Sequence, residues 1–472
     1  MHVLVQLNVA AGVDVVLSCK GEKGRSPMDE PRTITRRKFL QGASAAAVGG
    51  LIVGAGAGIG GGSAIFGGSE TKTTGGGSSG STKPVKVGST LPLTGGMAAE
   101  GNEHQKASAM CIEEWNARGG VLGRQIKQIV MDAQDMAPEL MQSNFTSLID
   151  KEHVDAIVNA YLLYTGPEYN IVADANTLYL HTNTVSSHVT QYMSDPQKYY
   201  MIFQADPPEV WYSKGFVTFN ELLVASGKFK PRTKKIAILN ASFPYSKTIG
   251  QICRDGMEAA GWTCSLFETF DTPMTDFGAL LSKIRSDPPD WVFFSDPIIP
   301  DMAAFNKQFA ENPTPSLLYG QYAPGTLGYV DLVGEKVANG VVWATVLGVR
   351  PASVCPQTDA FMKAYEARWG EKSSSSAGGI MYDTMQIYLS AVALAGSTET
   401  RKVAKALEQL SYVGTCGTYK FNSEHWVEPY PDKTKDPAAG VSHFFAQIQN
   451  GVSKVISPEP YVESDFYLPA WF

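Results

Sequence analysis

Two strings in this 472-residue chain spell motifs of covalent or cofactor chemistry, and both fail on context. Gly76-Gly77-Ser78-Ser79-Gly80 fits G-x-S-x-G, which presents a serine nucleophile only on a strand–turn–helix. Here it lies in a Gly/Ser/Thr stretch. Gly56-Ala57-Gly58-Ile59-Gly60-Gly61 fits G-x-G-x-x-G, a dinucleotide cradle only when it follows a strand and opens a helix. It follows no strand. No H-E-x-x-H and no G-x-x-x-x-G-K-[ST] occurs, and none of the six cysteines forms a C-x-x-C. A zinc ribbon and a disulfide-dense scaffold are therefore excluded, and no cofactor or metal is expected. The chemistry left to the chain is recognition, by polar and aromatic side chains gathered at the ends of regular elements.

A third string is an address. Thr35-Arg36-Arg37-Lys38-Phe39-Leu40 precedes a Gly- and Ala-rich run without charge from Phe39 to Ser69. A basic segment before an apolar one is an export signal, and the arginine pair resembles the twin-arginine route. Met28 fits as the start of that signal. Residues 1–27 then read as an upstream extension, 28–66 as a signal or an uncleaved membrane anchor, and 67–83 as a flexible Gly/Ser linker. No cysteine follows the run to carry a lipid. The protein is thus expected outside the cytoplasm, in the periplasm or at the cell surface. With 39 Lys+Arg against 46 Asp+Glu, and no dense basic run after the signal, no nucleic-acid partner is expected.

The elements that position a recognition site begin at Pro84. Residues 85–90 alternate like a strand, 100–118 have helical periodicity, and Gly119-Gly120 stops the helix. Strand and helix then alternate through 126–131, 138–151, 156–158, 170–175 and 178–180. The alternation restarts at 234–239 and continues to 341–343, and 358–369 and 380–395 read as long helices. This is the pattern of parallel sheets covered on both faces, here in two successive α/β units. Ligands bind beyond the carboxyl ends of such strands, and two facing lobes make a cleft. Cys253 with Cys264, and Cys355 with Cys416, read either as disulfides or as buried thiols.

Leu91-Pro92-Leu93-Thr94-Gly95-Gly96, then the run from Ile112-Glu113-Glu114-Trp115-Asn116-Ala117-Arg118-Gly119-Gly120 to Val121-Leu122-Gly123-Arg124, then Asp132-Ala133, resemble solute-binding proteins of the leucine/isoleucine/valine-binding type. These serve ABC importers. Weaker pieces follow in order, among them Thr275-Asp276-Phe277, Tyr382-Asp383 and Gly417-Thr418-Tyr419-Lys420-Phe421. The resemblance implies an α/β fold of two Rossmann-like lobes, the type I periplasmic-binding fold, joined by a hinge of three crossovers. Residues 84–205 with 343–425 would form lobe 1, 206–342 with 426–460 lobe 2, and 461–472 a tail. It also implies partners: a small organic solute (amino acid, amide or aromatic acid) held between closing lobes, and the permease subunits on which the closed form docks. Membrane contact would come through that docking or the N-terminal anchor. The alternatives are a ligand sensor for a signalling receptor and a secreted enzyme.

The same resemblance nominates site residues. In lobe 1 the loop after the third strand offers Tyr161, Tyr164 and Thr165, and the next offers His181, Asn183 and Thr184. Glu100 stands at the first helix. In lobe 2, Tyr245, Asp296 and Tyr322 follow strands. Amino-acid binders carry an acid for the ammonium about where Tyr322 stands. That departure leaves Glu100 and Asp296 as the nearby acids and points to an aromatic or amide-bearing solute among tyrosines.

Overall fold

The computed structural model describes residues 83–162 and 166–472, together with the backbone of a short strand, Val3–Gln6. The twin-arginine string, the apolar run and the Gly/Ser linker as far as Thr82 lie outside the described residues, as do Cys19, Tyr164 and Thr165. Among the described residues no helix is long and apolar enough to cross a membrane.

Two sheets dominate. The first has five parallel strands in the order Ile126–Asp132, Val85–Leu91, Ala156–Asn159, Leu178–His181, Ile202–Gln204. The second has seven strands, and Lys235–Ala241, Trp291–Ser295, Leu317–Gln321 and Val342–Thr345 form its parallel centre. Thr263–Phe270 lies on one edge. Phe444–Gln449 and Val452–Ser457 close the other edge in antiparallel pairing. A third, small sheet pairs Leu410–Gly414 with Gly417–Lys420 and Val441–Ser442; Val3–Gln6 lies parallel to its outer strand.

The central strands of the second sheet show why such runs are almost continuously apolar. Side chains alternate between faces, and both faces are covered, so every position must be buried. Val292 and Phe294 enter one core with Leu239 and Leu318; Trp291 and Phe293 enter the other with Ile238 and Leu317. Helix starts and stops are local. Proline opens the helices Pro138–Asp150, Pro244–Ala259 and Pro356–Trp369, where its missing N–H costs nothing. Gly370 ends the last of these with φ 74.

The chain passes between the lobes three times. The first passage follows Ile202–Gln204 and leads into the helix Val210–Ala225. Val342–Thr345 lies whole in the second sheet, so the second passage comes after Thr345 rather than at 342/343, because strand pairing with Leu317–Gln321 and Phe444–Gln449 continues that far. Val427 and Val441 belong to the first lobe's core, which puts the third passage between Ser442 and Phe444 rather than at 425/426. Tail residues Phe466, Trp471 and Phe472 pack on the second lobe. The five described cysteines are free thiols. Of the paired readings, Cys264 instead donates to the Leu266 carbonyl at 3.4 Å.

Candidate ligand-binding site

A cavity lies between the lobes at the carboxyl ends of strands from both sheets. The first lobe contributes Met97, His104, Tyr161, Leu162, Thr182, Thr184, Val185 and Ile380, and the first crossover contributes Asp206. From the second come Tyr212, Tyr245, Pro297, Tyr322 and Thr345. The space open to water centres is ≈ 50 Å³, room for a few waters at about 10–15 Å³ each. As it stands, the cleft suits a small solute.

The first-lobe wall is built on the helix Ala98–Ala117. Met97, Glu100 and His104 share one side of it at helical spacing. Gly101 lets that helix close on the preceding loop, since a Cβ there would stand 1.9 Å from the Pro92 carbonyl oxygen. Glu100 is fully buried, and one of its oxygens receives the Tyr161 hydroxyl. The other has no hydrogen-bond partner. Burial pushes the Glu100 carboxyl up to about 7, against the pull of the Tyr161 hydroxyl. His104 meets Tyr161 edge-on at 5.6 Å, and burial pulls its imidazole down to about 3, so it is neutral.

The next loop splits by alternation. Thr182 and Thr184 line the cavity; His181 and Asn183 stand behind it. His181 Nε2 faces His188 Nδ1 at 3.3 Å. Asn183 accepts the Leu162 N–H at 2.6 Å and donates to the Tyr179 hydroxyl at 3.3 Å, splinting the two ligand loops together. Thr184 donates its hydroxyl to Asp206 Oδ2 at 2.8 Å, while Asp206 Oδ1 is buried without a partner. Burial holds the Asp206 carboxyl well above the usual carboxylate range.

On the second lobe, Tyr245 accepts the Gln321 amide at 2.7 Å and meets Tyr212 edge-on at 6.3 Å. Tyr322 has φ 69 and ψ −58, close to the strained γ-turn. Its hydroxyl donates to the Ser376 carbonyl at 2.9 Å, and the Ser376 hydroxyl donates to the Gly325 carbonyl at 3.0 Å. These two bonds join the lobes directly. Asp296 is outside the wall: it accepts the Ile298 N–H at 2.8 Å and lies beside Asp301, and Pro297 takes the place facing the cavity.

Of the residues nominated from sequence, the structure therefore brings Tyr161, Thr184, Tyr245 and Tyr322 into one wall, with Glu100 directly behind Tyr161. His181, Asn183 and Asp296 are supports. The sequence reading counted only Glu100 and Asp296 as acids near the solute; Asp206 corrects that. It was legible in principle, because it follows the strand Ile202–Gln204 and the carboxyl-end rule applies to that strand as to the others. Tyr212 and His104 were missed as well; His104 sits one helical turn beyond Glu100.

The profile of the periplasmic binding protein family matches residues 84–427. A candidate branched-chain amino acid ABC transporter from Silicibacter pomeroyi, known as a crystal structure, is 36% identical, with a TM-score of 0.76 over 83% of this chain and 100% of that one. The leucine-, isoleucine-, valine-, threonine- and alanine-binding protein of Pseudomonas aeruginosa is 22% identical over 72% of this chain and 86% of its own length. A solute-binding protein from R. palustris, crystallised with benzoate, shares the fold at 16% identity, with a TM-score of 0.64 over 81% of this chain and 99% of that one. With its two lobes, its interlobe cavity and this match across most of its length, the chain belongs to the periplasmic binding protein family.

Proposed function

We propose that the protein is the extracytoplasmic solute-binding subunit of an ABC importer, which closes its lobes on a small organic solute and presents the closed form to permease subunits. The observation that carries this reading is the cavity itself, walled by both lobes, which Tyr322, Ser376 and Gly325 also join by direct hydrogen bonds. A solute touching both walls is fully engaged only when the lobes are closed, so it shifts the population toward closure. Tyr161, Tyr245 and Tyr322 supply flat apolar area with hydroxyls, and Thr184 supplies a polar contact. The solute classes open to such a wall are amino acids, amides and aromatic acids. The Pseudomonas aeruginosa relative is named for aliphatic amino acids, and the R. palustris protein was crystallised with benzoate. Nothing in the reading requires a chemical step.

Small-angle scattering of the full chain against a library of amino acids, amides and aromatic acids tests this. The matching solute lowers the radius of gyration; an unchanged profile with a saturating bound solute would count against a closing binder. Export is tested separately. Arg36→Lys with Arg37→Lys should leave the protein in the cytoplasm, and normal export of that double variant would sink the twin-arginine assignment.

A further inference from the structure

One carboxyl group in the cavity wall has unfinished bonding. Asp206 is 4% exposed. Its backbone is pinned by the Gln204 amide, which donates to the Asp206 carbonyl at 2.9 Å. Thr184 satisfies one side-chain oxygen, and the other, Oδ1, has no donor. Burying an acceptor unsatisfied is costly, and more so if it is charged, so the empty cleft holds this carboxyl toward its neutral form and a cation donating to Oδ1 would let it ionise.

The rest of the wall brings no positive charge to meet it. Among the described lining residues there is no Lys or Arg, and His104 is neutral. Leu163, Tyr164 and Thr165, which complete the adjoining loop, carry no cation either. Glu209, near Asp206 in sequence, is already engaged by the backbone N–H and hydroxyl of Ser186. What does surround the cavity is aromatic. Tyr161, Tyr212, Tyr245 and Tyr322 all line it, and tyrosine faces attract cations. Glu100, behind Tyr161, adds a second carboxyl with an unpartnered oxygen.

We infer that Asp206 is the specificity-determining acid of the cleft, and that the solute carries a protonated nitrogen, ammonium or amidinium, which donates to Asp206 Oδ1 among the tyrosine rings. The inference rests on the solute-capture reading and narrows it. The acid expected at the Tyr322 position is supplied instead from the first crossover. A zwitterionic or cationic solute fits this wall. An aromatic acid without nitrogen would bring a second acid to Asp206 with no ammonium of its own to stand between them.

Calorimetry on the full chain with isosteric sets decides the matter: benzamidine, benzamide and benzoate, and L-leucine against 4-methylpentanoate, which lacks the amine. Native mass spectrometry of the protein as purified identifies any retained solute. In whichever set fits, the member with the protonated nitrogen should bind tightest. Asp206→Asn should weaken it by about 30-fold or more, the effect of removing one partner of a buried charge pair. Asparagine keeps the shape and can still accept from Thr184, so the melting temperature of the empty variant shows that the fold survives. Benzoate or 4-methylpentanoate binding as tightly as its nitrogenous counterpart, or undiminished binding by Asp206→Asn, would overturn the assignment while leaving solute capture in place. A retained solute without a basic nitrogen would do the same. No binding by any probe and no retained solute would bring down both readings.

Discussion

Glu100 and Asp206 are buried carboxyls beside the same cavity, and the protein answers them differently. Glu100 projects from within a twenty-residue helix and is met by the Tyr161 hydroxyl, with Tyr322 close by. Asp206 stands on a crossover between lobes, outside any helix or strand, and is met by a single threonine. The first is embedded in a regular element, away from the crossovers. The second lies at the hinge, where a contact from a solute would act on both lobes at once. Each keeps one oxygen without a partner, so the difference is one of place: Glu100 stands behind Tyr161 and shapes the wall, whereas Asp206 lines the cavity and is available to a ligand.

The largest expected effect tests the Glu100 side. Its folded value of about 7 lies above the ordinary 4.5. Between those pH values the native state keeps a proton that the unfolded chain has released, so the contribution of Glu100 to stability is lost as pH rises through that window. The loss is about 3 kcal/mol. Glu100→Gln should therefore be more stable than wild type by about that amount in urea unfolding at pH 8, with the gap closing near pH 4. A gap independent of pH would show that Glu100 does not hold its proton, and the contrast with Asp206 would weaken. His104, on the same helix, runs the other way. Its imidazole is held down to about 3, so its contribution is lost as pH falls below the ordinary 6.5.

Next in size is Tyr161→Phe, which removes the donor from Glu100 while keeping the ring. It should cost about 1–3 kcal/mol, read as a lower melting temperature at neutral pH. A neutral result would mean that another group answers Glu100 in its place. Smallest is Tyr322→Phe, which removes one cross-lobe hydrogen bond worth about 0.5–1.5 kcal/mol. Its melting temperature should barely move, but ligand-free scattering should show a larger radius of gyration. An identical profile would mean that the Ser376 contact does not hold the lobes together.

Much of this is legible in the sequence. Apolar runs such as Trp291-Val292-Phe293-Phe294 announce doubly covered strands, and the family resemblance nominated Tyr161, Tyr245 and Tyr322, which line the cavity. The losses have physical causes. In the 181–184 loop the nominations included His181 and Asn183, which alternation turns away from the cavity, and passed over Thr182, which it turns inward. Asp206 falls in a crossover, where no hydrophobic period marks which way a side chain points. The passages at Thr345 and Ser442–Phe444 were displaced because short strands extend to the hinge before the chain changes lobe.

The discontinuous first lobe has a consequence for biosynthesis. Its sheet is complete in sequence at Gln204, yet the same core takes in Met381, Met385, Leu389 and Val392 from the helix Gly378–Ala395. At about 5–20 residues per second, the ribosome needs roughly 10–40 s to travel from one to the other. Through that interval a nascent chain carries an uncovered apolar surface, while most of the second lobe is synthesised in between. Such long-range closure slows folding and lengthens exposure to aggregation, so the emerging polypeptide has a window in which holding chaperones have something to grip.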